Sequence, residues 1–326
     1  MLLAMGRPHR SARLRIVLGL GVSALFMAFA LARTDLDTLG RLGGEVAPIL
    51  VGVAAAVSLS EVAVRAVRWT VLLSPMATVP VPVALAYLGV GHLANAVLPA
   101  RLGDIARAYL AGGRLEMSRM SVLGTIATER IADAGLLLFV GGGAIVVGQG
   151  QMFPSLTPLL IAGAGIVVLA GIAALAFGLP SVVATSLGRT ARELAGKFVR
   201  GASALRRGRT LVPVLVLTGL SFLLATLIMQ AGAAAAGLSL APLQAALIIA
   251  AVTLSTAIPA GPASIGTYEF VGVTVMTAMG FPAERAFLSI VLVHVIATLV
   301  PALIGLVGMW VLGIRHLVPA DHASNG

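Results

Sequence analysis

The 326-residue chain contains no cysteine, which excludes disulfide cross-links, thiolate zinc sites and a cysteine nucleophile. Charge is scarce as well. Asp, Glu, Lys and Arg together make up 10% of the residues, and only 12 residues are acidic. No polar block reaches the roughly 50 residues of a small soluble domain. Aromatic residues amount to 5%, and the basic residues fall between apolar runs rather than in a basic module interleaved with aromatics. The net charge of +10 therefore does not point to nucleic acid.

What the chain has in abundance is apolar surface: 59% of its residues are hydrophobic and its mean hydropathy is +1.05. These values indicate a single integral membrane domain over residues 1–326. Apolar runs near 15–32, 47–67, 120–148, 155–179, 211–231 and 286–314 are long enough to cross a hydrocarbon core of about 30 Å. The N-terminal stretch imitates a secretory signal, but Ile16 to Ala32 exceeds the usual signal core of about 7–15 residues, so a retained first span is expected.

Two further runs, 83–98 and 241–258, end at Pro99 and Pro259 and are followed by short returning segments at 101–112 and 264–280. This pattern predicts re-entrant helical hairpins rather than full crossings. The basic residues support that topology, because Lys and Arg accumulate in cytoplasmic loops. A full crossing at 83–98 would put Arg101, Arg107, Arg114 and Arg119 outside, whereas a hairpin keeps them inside with Arg7, Arg10, Arg13 and Arg15. The loop 180–210, rich in arginine with Glu193 as its one acid, is expected to be cytoplasmic. There Leu187, Leu194, Phe198 and Leu205 recur at helical spacing, as in an interfacial helix on anionic lipid.

The expected fold is an all-α polytopic membrane protein with about six full spans and two re-entrant helical hairpins, eight membrane elements in all. The halves, about 14–148 and 155–315, enter the membrane from opposite sides as an inverted repeat. Both termini are expected in the cytoplasm and the chain in the cell (inner or plasma) membrane.

Charges within apolar segments need partners or a wet cavity, since an isolated one costs at least about 2.5–3.5 kcal/mol. Glu61, Arg65 and Arg68 stand on one face of the second span. Glu129, Arg130 and Asp133 form a second group at helical spacing. Between them, Asn95 and Pro99 precede Arg101, Asp104 and Arg107, where Asp104 can bridge either arginine. Pro99 disfavours helix at residue 98 and can start the returning arm. Two readings stand: these charges neutralise one another and fasten the hairpin, or they bind a phosphate or other anionic headgroup. Five arginines against four acids, with guanidinium forks suited to phosphate oxygens, favour the second.

The second hairpin offers Pro259, Gly261, Pro262, Ser264, Gly266, Tyr268 and Glu269. Glu269 is either a proton or cation coupling site or a structural hydrogen-bond acceptor. His92 and His294 have no second ligand at metal spacing, which makes helix packing the expected role. No metal or cofactor is expected.

The arginine-bearing RAVRW, then N-x-x-L-P-x-R-x-G-D-x-x-R, T-E-R-x-x-D and I-P-x-x-P-x-S-I-G-x-x-E together resemble the lysylphosphatidylglycerol synthase transmembrane family, also called flippase-like domain proteins. The resemblance covers nearly the whole chain. It implies a role in moving lipids between leaflets, with Arg101, Gly103, Asp104, Arg107, Glu129, Arg130, Asp133, Pro259, Gly266 and Glu269 at the matching positions. The run Pro262-Ala263-Ser264-Ile265-Gly266 departs from the Pro-Gly-Gly-like run expected there. No C-terminal synthase domain follows the last span, so aminoacyl transfer is not expected.

The leading expectation is thus a lipid flippase or transporter for an anionic phospholipid or lipid-linked intermediate, not an enzyme. Its partners would be membrane lipids, through an anionic headgroup or lipid phosphate. The alternative is a non-transporting accessory protein that binds a lipid-linked intermediate and docks a cytoplasmic enzyme through 180–210.

Overall fold

Prolines set several helix starts, because the first turn of a helix has no use for the missing N–H. In the computed structural model, which describes residues 10–32, 34–98, 102–148, 189–202, 208–256 and 261–314, α1 (Arg10–Leu31) and the short α2 (Leu36–Gly44) come first. Next are α3 (Pro48–Leu73), α4 (Val81–Val97), α5 (Leu102–Arg114) and α6 (Arg119–Gly148). The second part holds α7 (Arg189–Ala202), α8 (Gly208–Ala235), α9 (Pro242–Ser255), a 3₁₀ turn at Pro262–Ser264, α10 (Thr267–Ala278) and α11 (Ala283–Val311). Pro48, Pro82 and Pro242 lie in the first turns of α3, α4 and α9. Among the described residues every regular element is helical.

Three helices, α3, α8 and α11, are long and apolar enough to cross a membrane, and α4 and α9 are shorter apolar helices. Their exposed faces carry large hydrophobic residues, such as Ile49 and Val53 on α3, Leu215 and Leu223 on α8, and Leu303 and Trp310 on α11. In water such faces would be a liability; against lipid they need no further cover. The predicted span 155–179, together with 180–188, 203–207, Pro99, Arg101 and Pro259, lies outside the described residues.

Leu98 has extended backbone (φ −96°, ψ 139°), the conformation its following proline imposes. Helices α4 and α5 pack antiparallel, with Gly103 against Gly91 and Asn95. A Cβ on Gly103 would sit 2.0 Å from the Gly91 carbonyl oxygen, so only glycine lets the arms close this far. The Gly103 N–H donates to Asn95 Oδ1 at 2.7 Å, which ties the arms near the turn.

A second close approach joins the hairpin to the other half of the chain. A Cβ on Gly89 would lie 2.7 Å from the Gly305 nitrogen, and one on Gly308 2.8 Å from the Ala86 carbonyl. Such small-residue seams let helix backbones approach where apolar burial supplies no drive. Helices α3 and α8 also run antiparallel, from the Ala47–Ala235 backbone hydrogen bond to the Ser221–Glu61 pair. One buried cluster centres on Trp69, Leu72, Tyr87, Ala111 and Ile126, and another on Met229, Ile248, Met276 and Ile290. The cavity described below lies where α3, α4, α6, α8, α9 and α11 all contribute residues.

Candidate functional site

The first group of charges is built from three helices. Arg68 on α3, with a side chain only 1% exposed, lays both terminal nitrogens on the Asp133 carboxylate of α6, one of them at 3.2 Å. It also donates to Thr218 Oγ1 of α8 at 3.0 Å and lies 3.5 Å from Glu129. Arg107 on α5 pairs with the other oxygen of Glu129. Its guanidinium rests 4.6 Å from the centre of the Trp69 ring, whose Nε1–H donates to Thr125 at 3.1 Å. Arg130 grips Asp104 with two hydrogen bonds, at 3.1 and 2.9 Å.

By sequence spacing alone Asp104 can bridge Arg101 or Arg107 on its own arm. Asp104 does bond Arg130 on α6, and Arg107 turns to Glu129 on the same helix. The physical reason is geometric. Helix α6 offers opposed partners across the contact, where Arg130 and Asp104 meet in two-pronged guanidinium–carboxylate geometry. Among the described residues, Arg65, Arg68, Arg107 and Arg130 are matched by Glu61, Asp104, Glu129 and Asp133. The expected excess of arginine therefore rests on Arg101, which lies outside the described residues.

Arg65 is placed differently from the other three. It pairs with Glu61 through Nε, and Ser221 donates to the same carboxylate at 2.7 Å. Its side chain is 23% exposed and lines the cavity. Its two terminal nitrogens have no hydrogen-bond partner among the described residues. Arg68 and Arg107 each leave a buried Nε without an acceptor, but those atoms are enclosed by protein.

The second group surrounds the returning turn of the other hairpin. The Gly261 N–H donates to Ser23 Oγ of α1 at 2.8 Å. Ala263, Ser264 and Gly266 all have positive φ, 54°, 60° and 92°, and Gly266 also packs so closely on α1 that a Cβ would fall 2.1 Å from the Ser23 carbonyl. The Gly266 N–H donates to Glu269 Oε2 at 2.6 Å, which caps α10. Glu269 Oε1 lies 2.5 Å from His294 Nδ1, and His294 Nε2 lies 2.9 Å from the Ala263 carbonyl oxygen. Tyr268 stacks on the His294 ring with centroids 4.1 Å apart.

Sequence reasoning gave His294 a packing role. It is buried in a helix contact, and it also bonds the hairpin at both ring nitrogens. Its partner lies 25 residues away, so no local spacing signals the pair. Thr218 and Ser221 on α8 and Ser23 on α1 were likewise missed. The signal at Thr218 and Ser221 was weak, a three-residue spacing of small polar residues within an apolar helix, and Ser23 stands singly in the apolar part of α1.

Both groups border one cavity of about 570 Å³. Arg65, Asp104, Arg130 and Asp133 line it from one side, and Gly261, Ala263, Ser264, Tyr268 and His294 from the other. Asn95 and His92 reach it from α4. Leu136, Leu137, Phe222, Ile249 and Leu254 supply an apolar wall. Such a space suits a ligand with a polar anionic end and an apolar body. Among the described residues no group of His, Asp and Glu is arranged to hold a metal ion.

A stretch of 145 residues is 28% identical to the protein named Glycosyltransferase AglD from Haloferax volcanii, covering 44% of this chain and 23% of that relative. The chain thus spans about a quarter of that relative's length. No solved structure matches it. The family described as the lysylphosphatidylglycerol synthase TM region matches residues 16–305, and with most of its length covered, the chain belongs to that family.

Proposed function

We propose that this protein moves an anionic phospholipid or lipid-linked intermediate between leaflets and is not itself an enzyme. The observation that carries this reading is the cavity: both hairpins border it, Arg65 lines it with terminal nitrogens that have no hydrogen-bond partner among the described residues, and one wall is apolar. A guanidinium fork takes phosphate oxygens in pairs, while acyl or prenyl chains leave along the apolar side into lipid.

The finer topology belongs to the same proposal. Two broken hairpins, α4–α5 and α9–α10, enter from opposite faces of a plasma-membrane bilayer as parts of an inverted repeat of about six full spans, with both termini in the cytoplasm. Alternating exposure of the cavity then comes from rocking one half against the other. Antiparallel packing of α4 on α5, the Gly89–Gly305 seam and the turn at Pro262–Ser264 support it.

Leaflet-resolved assays of fluorescent phosphatidylglycerol in proteoliposomes test the reading. The wild-type protein should accelerate exchange between leaflets, and Arg65→Gln together with Arg130→Gln should abolish the acceleration. Equal rates in the two proteins would sink it.

The partial match to a protein named as a glycosyltransferase favours a second reading. The domain would bind a lipid-linked intermediate and hold a cytoplasmic enzyme through the basic loop, of which α7 packs on α6. Co-purification of such an enzyme, lost on deleting 189–202, with no lipid exchange in vesicles, would favour this reading.

A further inference from the structure

We propose that Glu269 and His294 form a proton-binding site whose occupancy latches the second hairpin against the cavity. Glu269 Oε2 accepts the Gly266 N–H, Glu269 Oε1 faces His294 Nδ1 at 2.5 Å, and His294 Nε2 faces the Ala263 carbonyl at 2.9 Å. A carbonyl oxygen only accepts, so Nε2 must carry a hydrogen. The contact between Oε1 and Nδ1 then needs a second hydrogen, held by either atom. Both arrangements, carboxylate with imidazolium or carboxylic acid with imidazole, contain the same two hydrogens and make the pair neutral.

Removing one proton leaves a carboxylate and an imidazole with a single N–H. If that hydrogen stays on Nδ1, the Nε2 lone pair meets the Ala263 carbonyl; if it moves to Nε2, the Nδ1 lone pair meets the carboxylate. One of the two bonds is lost in either case. The turn these bonds hold is under tension, since Ala263 and Ser264 lie in the left-handed region without being glycine. Loss of the proton therefore releases the end of the hairpin that lines the cavity.

The surroundings isolate the pair. Tyr268 is its titratable neighbour on α10, Ser23 is the polar contact from α1, and the described part of α9 carries no ionisable side chain. Across the cavity stand His92 on α4, Asp104 on α5, Arg130 and Asp133 on α6, and Arg65 on α3, and none of them hydrogen-bonds the pair. The proton-free pair carries one negative charge toward the cavity. Where the lipid reading above holds, an anionic headgroup favours the protonated pair, and proton and headgroup are taken up together.

The native chain lacks cysteine, so single introduced thiols report cleanly. Ser264→Cys and, as a reference on α4, Ala96→Cys are labelled with a small maleimide in phosphatidylcholine nanodiscs across a pH series. The ratio of their rates cancels the pH dependence of the thiol itself. We expect that ratio to climb about tenfold as pH rises, each unit removing tenfold of the latched form once the proton is leaving. Glu269→Gln preserves the latch, because its amide donates to Nδ1 and its oxygen accepts from Gly266, and its ratio should stay low throughout. A flat ratio in the Ser264→Cys protein, or the same climb with Glu269→Gln, overturns the latch. Adding phosphatidylglycerol to the discs should move the climb to higher pH. An unmoved climb overturns the coupling to lipid and leaves the latch standing, so the two failures are distinguishable.

Discussion

Removing the charge of Arg68 separates the structural part of the site from its ligand-binding part. Arg68 is 1% exposed and is the partner of Asp133 through two hydrogen bonds, with Glu129 and Thr218 as further contacts. Arg68→Met leaves Asp133 with Arg130, at 4.0 Å, as its ion-pair partner among the described residues. Breaking a buried pair from one side costs about 3–5 kcal/mol. Replacing both partners, Arg68→Met with Asp133→Leu, removes the stranded charge, so the double variant should recover about 1–3 kcal/mol relative to the sum of the singles. Arg65→Lys behaves oppositely: a cation stays beside Glu61, so stability should change by less than about 1 kcal/mol. The fork is lost, however, and lipid exchange should fall about tenfold for the one charged hydrogen bond forgone. Stability is read from denaturant midpoints in detergent, and exchange from the leaflet assay. If Arg68→Met and Asp133→Leu destabilise additively, or if Arg65→Lys unfolds the protein while Arg68→Met does not, the division of roles is wrong.

Other outcomes follow from particular contacts. Gly266→Ala combines a φ of 92° with a Cβ 2.1 Å from the Ser23 carbonyl, and it should lower stability by more than about 2 kcal/mol, measurable in the same melts. Gly305→Leu drives a side chain into the Gly89 carbonyl and should part α4 from α11, lowering the yield of monodisperse protein and the exchange rate together. Trp69→Phe loses the hydrogen bond to Thr125 and weakens the ring under Arg107, costing about 1–2 kcal/mol. Ahead of α2, the Thr38 hydroxyl and then the Asp37 amide hold the Asp35 carboxyl below its ordinary range. Because the folded state depresses this pKa, the cap is present above the usual aspartate value of about 3.9 and is lost as pH falls through the lower folded one. Hydrogen exchange over 36–44 should therefore quicken in acid, and at a higher pH in Thr38→Val.

Much of the architecture was legible as one-dimensional chemistry. The apolar runs near 47–67, 211–231 and 286–314 correspond to α3, α8 and α11, because a chain in hydrocarbon must satisfy its backbone within each segment. The proline rules placed the extended Leu98 and, with it, the break between α4 and α5. The same arithmetic singled out every acid of the first cluster, since a charge inside an apolar segment has no inexpensive place to go. Between the first two apolar runs, the Asp35 side chain caps the short α2.

Who pairs with whom lay beyond the sequence. Asp104 meets Arg130 on α6, and Glu269 meets His294 on α11, because those pairings depend on which helix faces meet. Local spacing states where a charged group stands on its own helix, and helix packing alone states what stands opposite. By itself the sequence determined a helical membrane protein with polar groups at two breaks. Only the tertiary structure paired most of those charges across helices, left the terminal nitrogens of Arg65 without a hydrogen-bond partner among the described residues, and brought His294, bonded to Glu269, to the same cavity. The physical reason is that hydrophobicity and proline act on a segment alone, whereas an ion pair or a shared proton exists only between segments.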